Sequence, residues 1–172
     1  MLVVTINVDV LSLSNIDTTS KQPKRYTIMS AYKHILVGLD LSPESNQVTE
    51  RVKFLFTHTN TKISVCHILE PLSFTYGGDI PVDLSDVQKQ LTDQATKRLA
   101  IYATELQVEA ADQHVILGHP AQEMHGMAAS NDIDLIVVGS HGRHGLSLIF
   151  GSTSNSVLHG ASCDVLAVRI TD

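Results

Sequence analysis

The 172-residue sequence has no tryptophan, 5% aromatic residues and two cysteines, Cys66 and Cys163. Two lone cysteines outside any CxxC pair leave no basis for a disulfide framework and suit a reducing compartment. Basic residues are scarce as well: 12 Lys and Arg against 18 Asp and Glu give a net charge of −6. That balance argues against a general affinity for nucleic acid or anionic membrane. No apolar run reaches the roughly 20 residues needed to cross a bilayer. The apolar start, residues 1–13, carries Asp9, and Lys21, Lys24 and Arg25 come after it. A secretory leader has the opposite order. The expected location is the cytoplasm, with no nucleic-acid partner and no membrane.

Several chemical signatures are missing too. There is no GxxxxGK[ST], and the turn after the first buried run has no GxGxxG. A P-loop enzyme and a dinucleotide fingerprint are therefore not supported, and no HxGH-type stretch points to a nucleotidyl transferase. Nine histidines invite a metal reading. Only His141 and His144 lie close together, and no neighbouring cysteine or acid completes a tetrahedral set, so no metal site is assigned.

What remains is an ordinary globular composition, 43% apolar and 17% charged. One domain of this length buries about 70% of its unfolded surface. Residues 1–30 do not repeat the pattern that follows and read as a poorly ordered extension, with Met29 an alternative start. The domain proper is 31–172.

From Lys33 the pattern is regular. Lys33–Asp40 is a short apolar run of the kind buried on both faces of a parallel sheet. Ser42, Pro43 and Glu44 read as a helix start, and Val48, Val52, Leu55 and Phe56 recur at helical spacing. Lys62–Leu69 is a second strand. Glu70–Leu84, with Pro71, Gly77, Gly78 and Pro81, is a long irregular connection. Ser85 with Gln88 suggests a capping box opening the longest helix, whose expected stripe is Val87, Leu91, Ala95, Leu99, Tyr102 and Leu106. His114–Leu117 is a third strand, Pro120 opens a helix, Ile133–Val138 is a fourth strand, 152–161 a helix and Val165–Ile170 a fifth strand. The alternation predicts an α/β fold: a Rossmann-like open five-stranded parallel sheet, order 3-2-1-4-5, with helices on both faces.

In such a sheet, ligands bind beyond the carboxyl ends of the strands where the order reverses. The first and fourth strands meet there, ending at Asp40 and Gly139. After Gly139 comes a glycine-rich stretch that closes in Gly151-Ser-Thr-Ser154 at a helix start. Glycines let backbone amides approach a ligand, and a helix N-terminus favours anions, so the pair reads as a phosphate cradle. The alternative is that Asp40 caps the helix and the glycines only make turns.

Residues 33–172 resemble a universal stress protein. The resemblance rests on Lys33-His-Ile-Leu-Val-Gly-Leu-Asp40-Leu-Ser-Pro-Glu-Ser45, Asp132-Ile-Asp-Leu-Ile-Val-Val-Gly-Ser-His-Gly142, Gly151-Ser-Thr153 and Cys163-Asp-Val-Leu-Ala-Val-Arg169. The first block and Val82–Lys89 are similar to the bacterial type A branch. The resemblance implies a Rossmann-like domain that forms a homodimer through the C-terminal strand, about 164–170. It also implies that some members hold ATP in a G-x2-G-x9-G-[S/T] loop. Carried over, Asp40 faces the ribose, Gly38 and Leu39 the adenine side, and Ile68 the base. Val138, Gly139, His141 and Gly142 line ribose and phosphates, and Gly151, Ser152 and Thr153 bind phosphate.

The chain departs from that pattern in one respect: eight residues, not nine, separate Gly142 from Gly151. The implied ligand is ATP, or AMP or ADP, alone or with Mg2+. The loop lacks lysine, and only Asp40 is placed to hold a metal ion, so efficient turnover is not expected and no catalytic residue is assigned. The alternative is a dimeric stress or interaction module of the type A branch that binds no nucleotide.

Overall fold

The computed structural model describes residues 3–4, 32–72, 84–141 and 152–171, with the backbone alone at 3–4 and at His141. Five strands, β2 (His34–Gly38), β3 (Lys62–Leu69), β4 (Gln113–Leu117), β5 (Leu135–His141) and β6 (Asp164–Ile170), form a parallel sheet ordered β6-β5-β2-β3-β4. Counted along the domain, this is the expected 3-2-1-4-5. A two-residue strand, β1 (Val3–Val4), adds to the outer side of β6, pairing Val3 with Val165 and Val4 with Leu166. Two residues are too short to show any period in the sequence.

The central strands form because their side chains are apolar on both faces. Ile35 and Val37 of β2 point to one side and Leu36 to the other, and all three are fully buried. On the first side, α1 (Ser45–Phe56) and α2 (Ser85–Glu105) cover the sheet through Val48, Val52, Phe56, Ala95, Leu99 and Ala103. On the second, α3 (Pro120–Ser130) and α4 (Ser152–Gly160) contribute Met124, Ala128 and Val157. Cys66 is buried in this second layer, and loss of hydration pushes its thiol up to about 12. A thiol so protonated is a poor nucleophile, and neither Cys66 nor Cys163 is in a disulfide.

Four local expectations need correction. The first concerns α1, which begins at Ser45 with no side-chain cap, after a turn closed by Ser45 N–H to the Ser42 carbonyl at 3.1 Å. The Ser42 hydroxyl is taken by Asp40 instead. At α2 no capping box forms. Leu84 holds the cap position, and Gln88 turns away to accept from Leu72 N–H at 3.1 Å. The front of its expected stripe is also open, with Val87 at 46% and Leu91 at 37% exposure; burial begins at Ala95. Finally, β5 runs on to His141, pairing Gly139, Ser140 and His141 with Val168, Arg169 and Ile170. These residues were expected to open the glycine loop. They continue the sheet because each finds a partner on β6.

Candidate functional site

The chain leaves β2 for β3 on one side and returns to β5 on the other, so β2 and β5 diverge at their carboxyl ends. A crevice of about 550 Å³ opens there. This is within the usual range for a small-molecule site.

Its floor is made by the strand ends. Gly38 and Leu39 leave β2, Ile68 comes from β3, and Val138 and Gly139 from β5. A Cβ on Gly38 would meet the end of the flexible Met124 side chain, which would have to swing aside. A Cβ on Gly139 would lie 3.2 Å from Val48 Cγ2, in the angle between β5 and α1.

Asp40 stands at the rim, and its carboxylate is fixed by the turn that follows. Oδ1 accepts from Ser42 N–H at 3.0 Å, from the Ser42 hydroxyl at 2.7 Å and from the Ser45 hydroxyl at 2.8 Å. The turn passes through Leu41, a buried non-glycine residue with φ of 59°. A left-handed leucine costs about 1–2 kcal/mol, so neighbouring contacts have to hold it. The Arg98 guanidinium donates to the Leu41 carbonyl at 2.6 Å, and the Tyr102 hydroxyl donates to the Ser42 carbonyl at 2.9 Å. Helix α2 thus clamps the segment that carries Asp40.

The opposite wall is the first turn of α4. Ser152 and Thr153 line the crevice. Ser154 is buried and donates to the Gly139 carbonyl at 2.7 Å, which ties the helix start to the end of β5. Backbone amides of a first helical turn have no partners inside the helix, and they form the positive end of its dipole.

Of the residues named from sequence, Gly38, Leu39, Asp40, Ile68, Val138, Gly139, Ser152 and Thr153 are brought together here. His141 ends β5 with only its backbone described, and Gly142 and Gly151 lie outside the described residues. The structure adds Ser45, Val48, His67, Glu44, Glu70, Pro120 and Met124. Strand alternation sets His67 on the face opposite Ile68, so no local pattern marks it as a lining residue. Its bond to Leu39, from Nδ1 to the carbonyl at 2.7 Å, joins two segments and is not visible in either alone. Among the described lining residues the charged groups are Asp40, Glu44 and Glu70, with no lysine or arginine. No group of three or more His, Cys, Asp or Glu gathers at metal-binding distance among the described residues.

An open parallel sheet covered on both faces, with a crevice at its switch point, defines a doubly wound α/β domain of the kind that binds ligands at its strand ends. A model of the universal stress protein family matches residues 31–169, and the chain belongs to that family. It is 45% identical to universal stress protein A homolog 2 of Coxiella burnetii, over 83% of this chain and 98% of that one. A solved universal stress protein in complex with cAMP is 25% identical, with a TM-score of 0.56, and matches 83% of this chain and all of its own length, 100%. A family protein of Arabidopsis thaliana, solved with AMP bound, shares the fold at 16% identity and a TM-score of 0.55, covering 81% of this chain and 92% of that one. No helix among the described residues is long and apolar enough to cross a membrane.

Proposed function

We propose that the protein is a cytoplasmic stress-response protein that binds an adenine nucleotide in this crevice, without efficient turnover. The carrying observation is the fixed Asp40 carboxylate at the switch point, facing a wall built from the first turn of α4. In this reading Asp40 accepts from ribose hydroxyls, Gly38, Leu39 and Ile68 border the base, and Val138 and Gly139 lie beneath the sugar. Ser152 and Thr153 take phosphate through amides and hydroxyls, assisted by His141, Gly142 and Gly151. The fit is supported by the crevice volume and by the family member solved with cAMP. A bound nucleotide supplies a ligand-dependent state, stabilising the fold by mass action.

A saturating ligand at a hundredfold excess over its dissociation constant adds about 2.7 kcal/mol of stability. For a domain of this size we therefore expect AMP, ADP or ATP, with or without Mg2+, to raise the melting temperature by about 5–11 °C at that excess. An unchanged melting temperature at millimolar nucleotide would favour the second reading, a dimeric interaction module that binds none. That reading draws on the carboxylates Asp40, Glu44 and Glu70, which disfavour a highly charged phosphate ligand unless a cation accompanies it.

Both readings include a homodimer paired through the C-terminal strand, about 164–170. β1 borders β6 only at Val165 and Leu166, so among the described residues Ala167–Ile170 has no further strand alongside. An unpaired edge of this kind is readily covered by its twin. Light scattering at micromolar protein is expected to give a dimer mass; a monomer mass would remove this part of the proposal.

A further inference from the structure

From the pairing of β1 with β6 we infer that the N-terminal segment competes with a second copy of the chain for one edge of the sheet. Strand β1 thereby sets how readily the homodimer forms. The inference rests on the dimer reading above and adds a regulatory element that reading does not contain.

β1 lies parallel to the outer edge of β6, with Val3 beside Val165 and Val4 beside Leu166. It is the outermost strand on that side of the sheet, where a partner strand would have to add. A homodimer pairs one patch with itself about a twofold axis, which sets the two β6 strands antiparallel. A ladder over about 164–170 then draws on Val165 and Leu166 of each copy, once toward each of its ends. The edge of a strand offers a single row of N–H and C=O groups. β1 and a second copy therefore exclude one another at these two residues.

The tether favours β1. Residues 5–31 join it to Tyr32, just ahead of β2. β1 lies three strand spacings from β2, about 14 Å, well within the reach of a chain of that length. A tethered segment acts at an effective concentration in the millimolar range, about a thousandfold above a partner at micromolar protein. Val3-Val-Thr-Ile6 are all β-branched, the residue type most at home in extended backbone. Length favours the second copy, because β1 engages only Val165 and Leu166 while a partner also reaches Ala167–Ile170. β1 therefore weakens the dimer without abolishing it. Each dimer needs two free edges, so the effect enters twice: β1 docked on about two-thirds of monomers lowers the apparent dimer affinity about ninefold.

The test measures the dimer dissociation constant of the full chain by fluorescence-detected sedimentation, from nanomolar to tens of micromolar protein. Successive residues of a strand turn their N–H groups to opposite sides, so one of Val3 and Val4 faces β6. Proline at both positions removes that donor whichever it is. Val3→Pro with Val4→Pro is expected to dimerise at least about fivefold more tightly than wild type. Val3→Gly with Val4→Gly should move the same way by a smaller factor. Well below these constants, where every chain is a monomer, the amides of 164–170 are expected to exchange faster in the proline variant. Dimer constants within about twofold of each other, a weaker dimer in the proline variant, or equal exchange overturns the competition and leaves the dimer reading standing. If neither protein dimerises at tens of micromolar, the dimer reading fails and this inference with it.

Discussion

Asp40→Ala is expected to raise the dissociation constant for AMP about 10- to 100-fold. A carboxylate that accepts hydrogen bonds from ribose contributes about 1.5–3 kcal/mol when the ligand is bound, and each 1.4 kcal/mol is tenfold. The substitution also removes the acceptor on which Ser42 N–H and the two hydroxyls of Ser42 and Ser45 converge. Part of the loss would therefore be a loosened turn. Asp40→Asn separates the two effects, because its amide oxygen still accepts from Ser42 while the negative charge is gone. Calorimetric titration of the two variants should give Asn an intermediate affinity and Ala the weakest. An Asp40→Ala protein that binds AMP within twofold of wild type would take Asp40 out of the site.

The largest effect on stability is expected from Leu36→Ala. Leu36 is fully buried on the central strand, with Ile136 alongside and Met124 and Val157 in the same layer. The substitution removes methyl groups from a site walled by buried side chains anchored on strands and helices, which relax only in part. Comparable buried leucines lose about 3–5 kcal/mol, so the melting temperature should fall by about 6–20 °C. Ile101, at 62% exposure on α2, provides the contrast. Its change to alanine should alter stability by no more than about 0.5 kcal/mol. Chemical denaturation of the two variants checks both values, and similar losses would contradict the burial described here.

The architecture was largely legible in the sequence because its strands are covered on both faces. Ile35, Leu36 and Val37, and Ile136, Val137 and Val138, read as continuous apolar runs for that reason. Asp40 and Gly139 could be paired in advance, because strand order alone brings the ends of β2 and β5 together. The extent of β5 was harder to read: Gly139 and Ser140 look like loop residues until β6 offers them partners.

Caps and stripes proved less legible, since short polar side chains have several partners within reach. Ser42 could cap a helix or satisfy Asp40, and it satisfies Asp40. Gln88 could return to its own helix start or accept from Leu72, and it accepts from Leu72. The clamp of Arg98 and Tyr102 on the Asp40 turn joins residues 57 and 60 positions apart, which no local pattern encodes. His67 is hidden from the sequence for a related reason: its bond to the Leu39 carbonyl joins two segments of the chain.

The central claim is that an adenine nucleotide occupies the crevice between the ends of β2 and β5. Amide chemical-shift mapping of isotope-labelled protein during titration with AMP and ATP tests the place as well as the event. The account predicts saturable shifts concentrated at Leu39, Asp40, Ile68, Gly139, Ser152 and Thr153, with little change around the opposite ends of the strands. No saturable shift at millimolar nucleotide, or shifts gathered away from these residues, would contradict it.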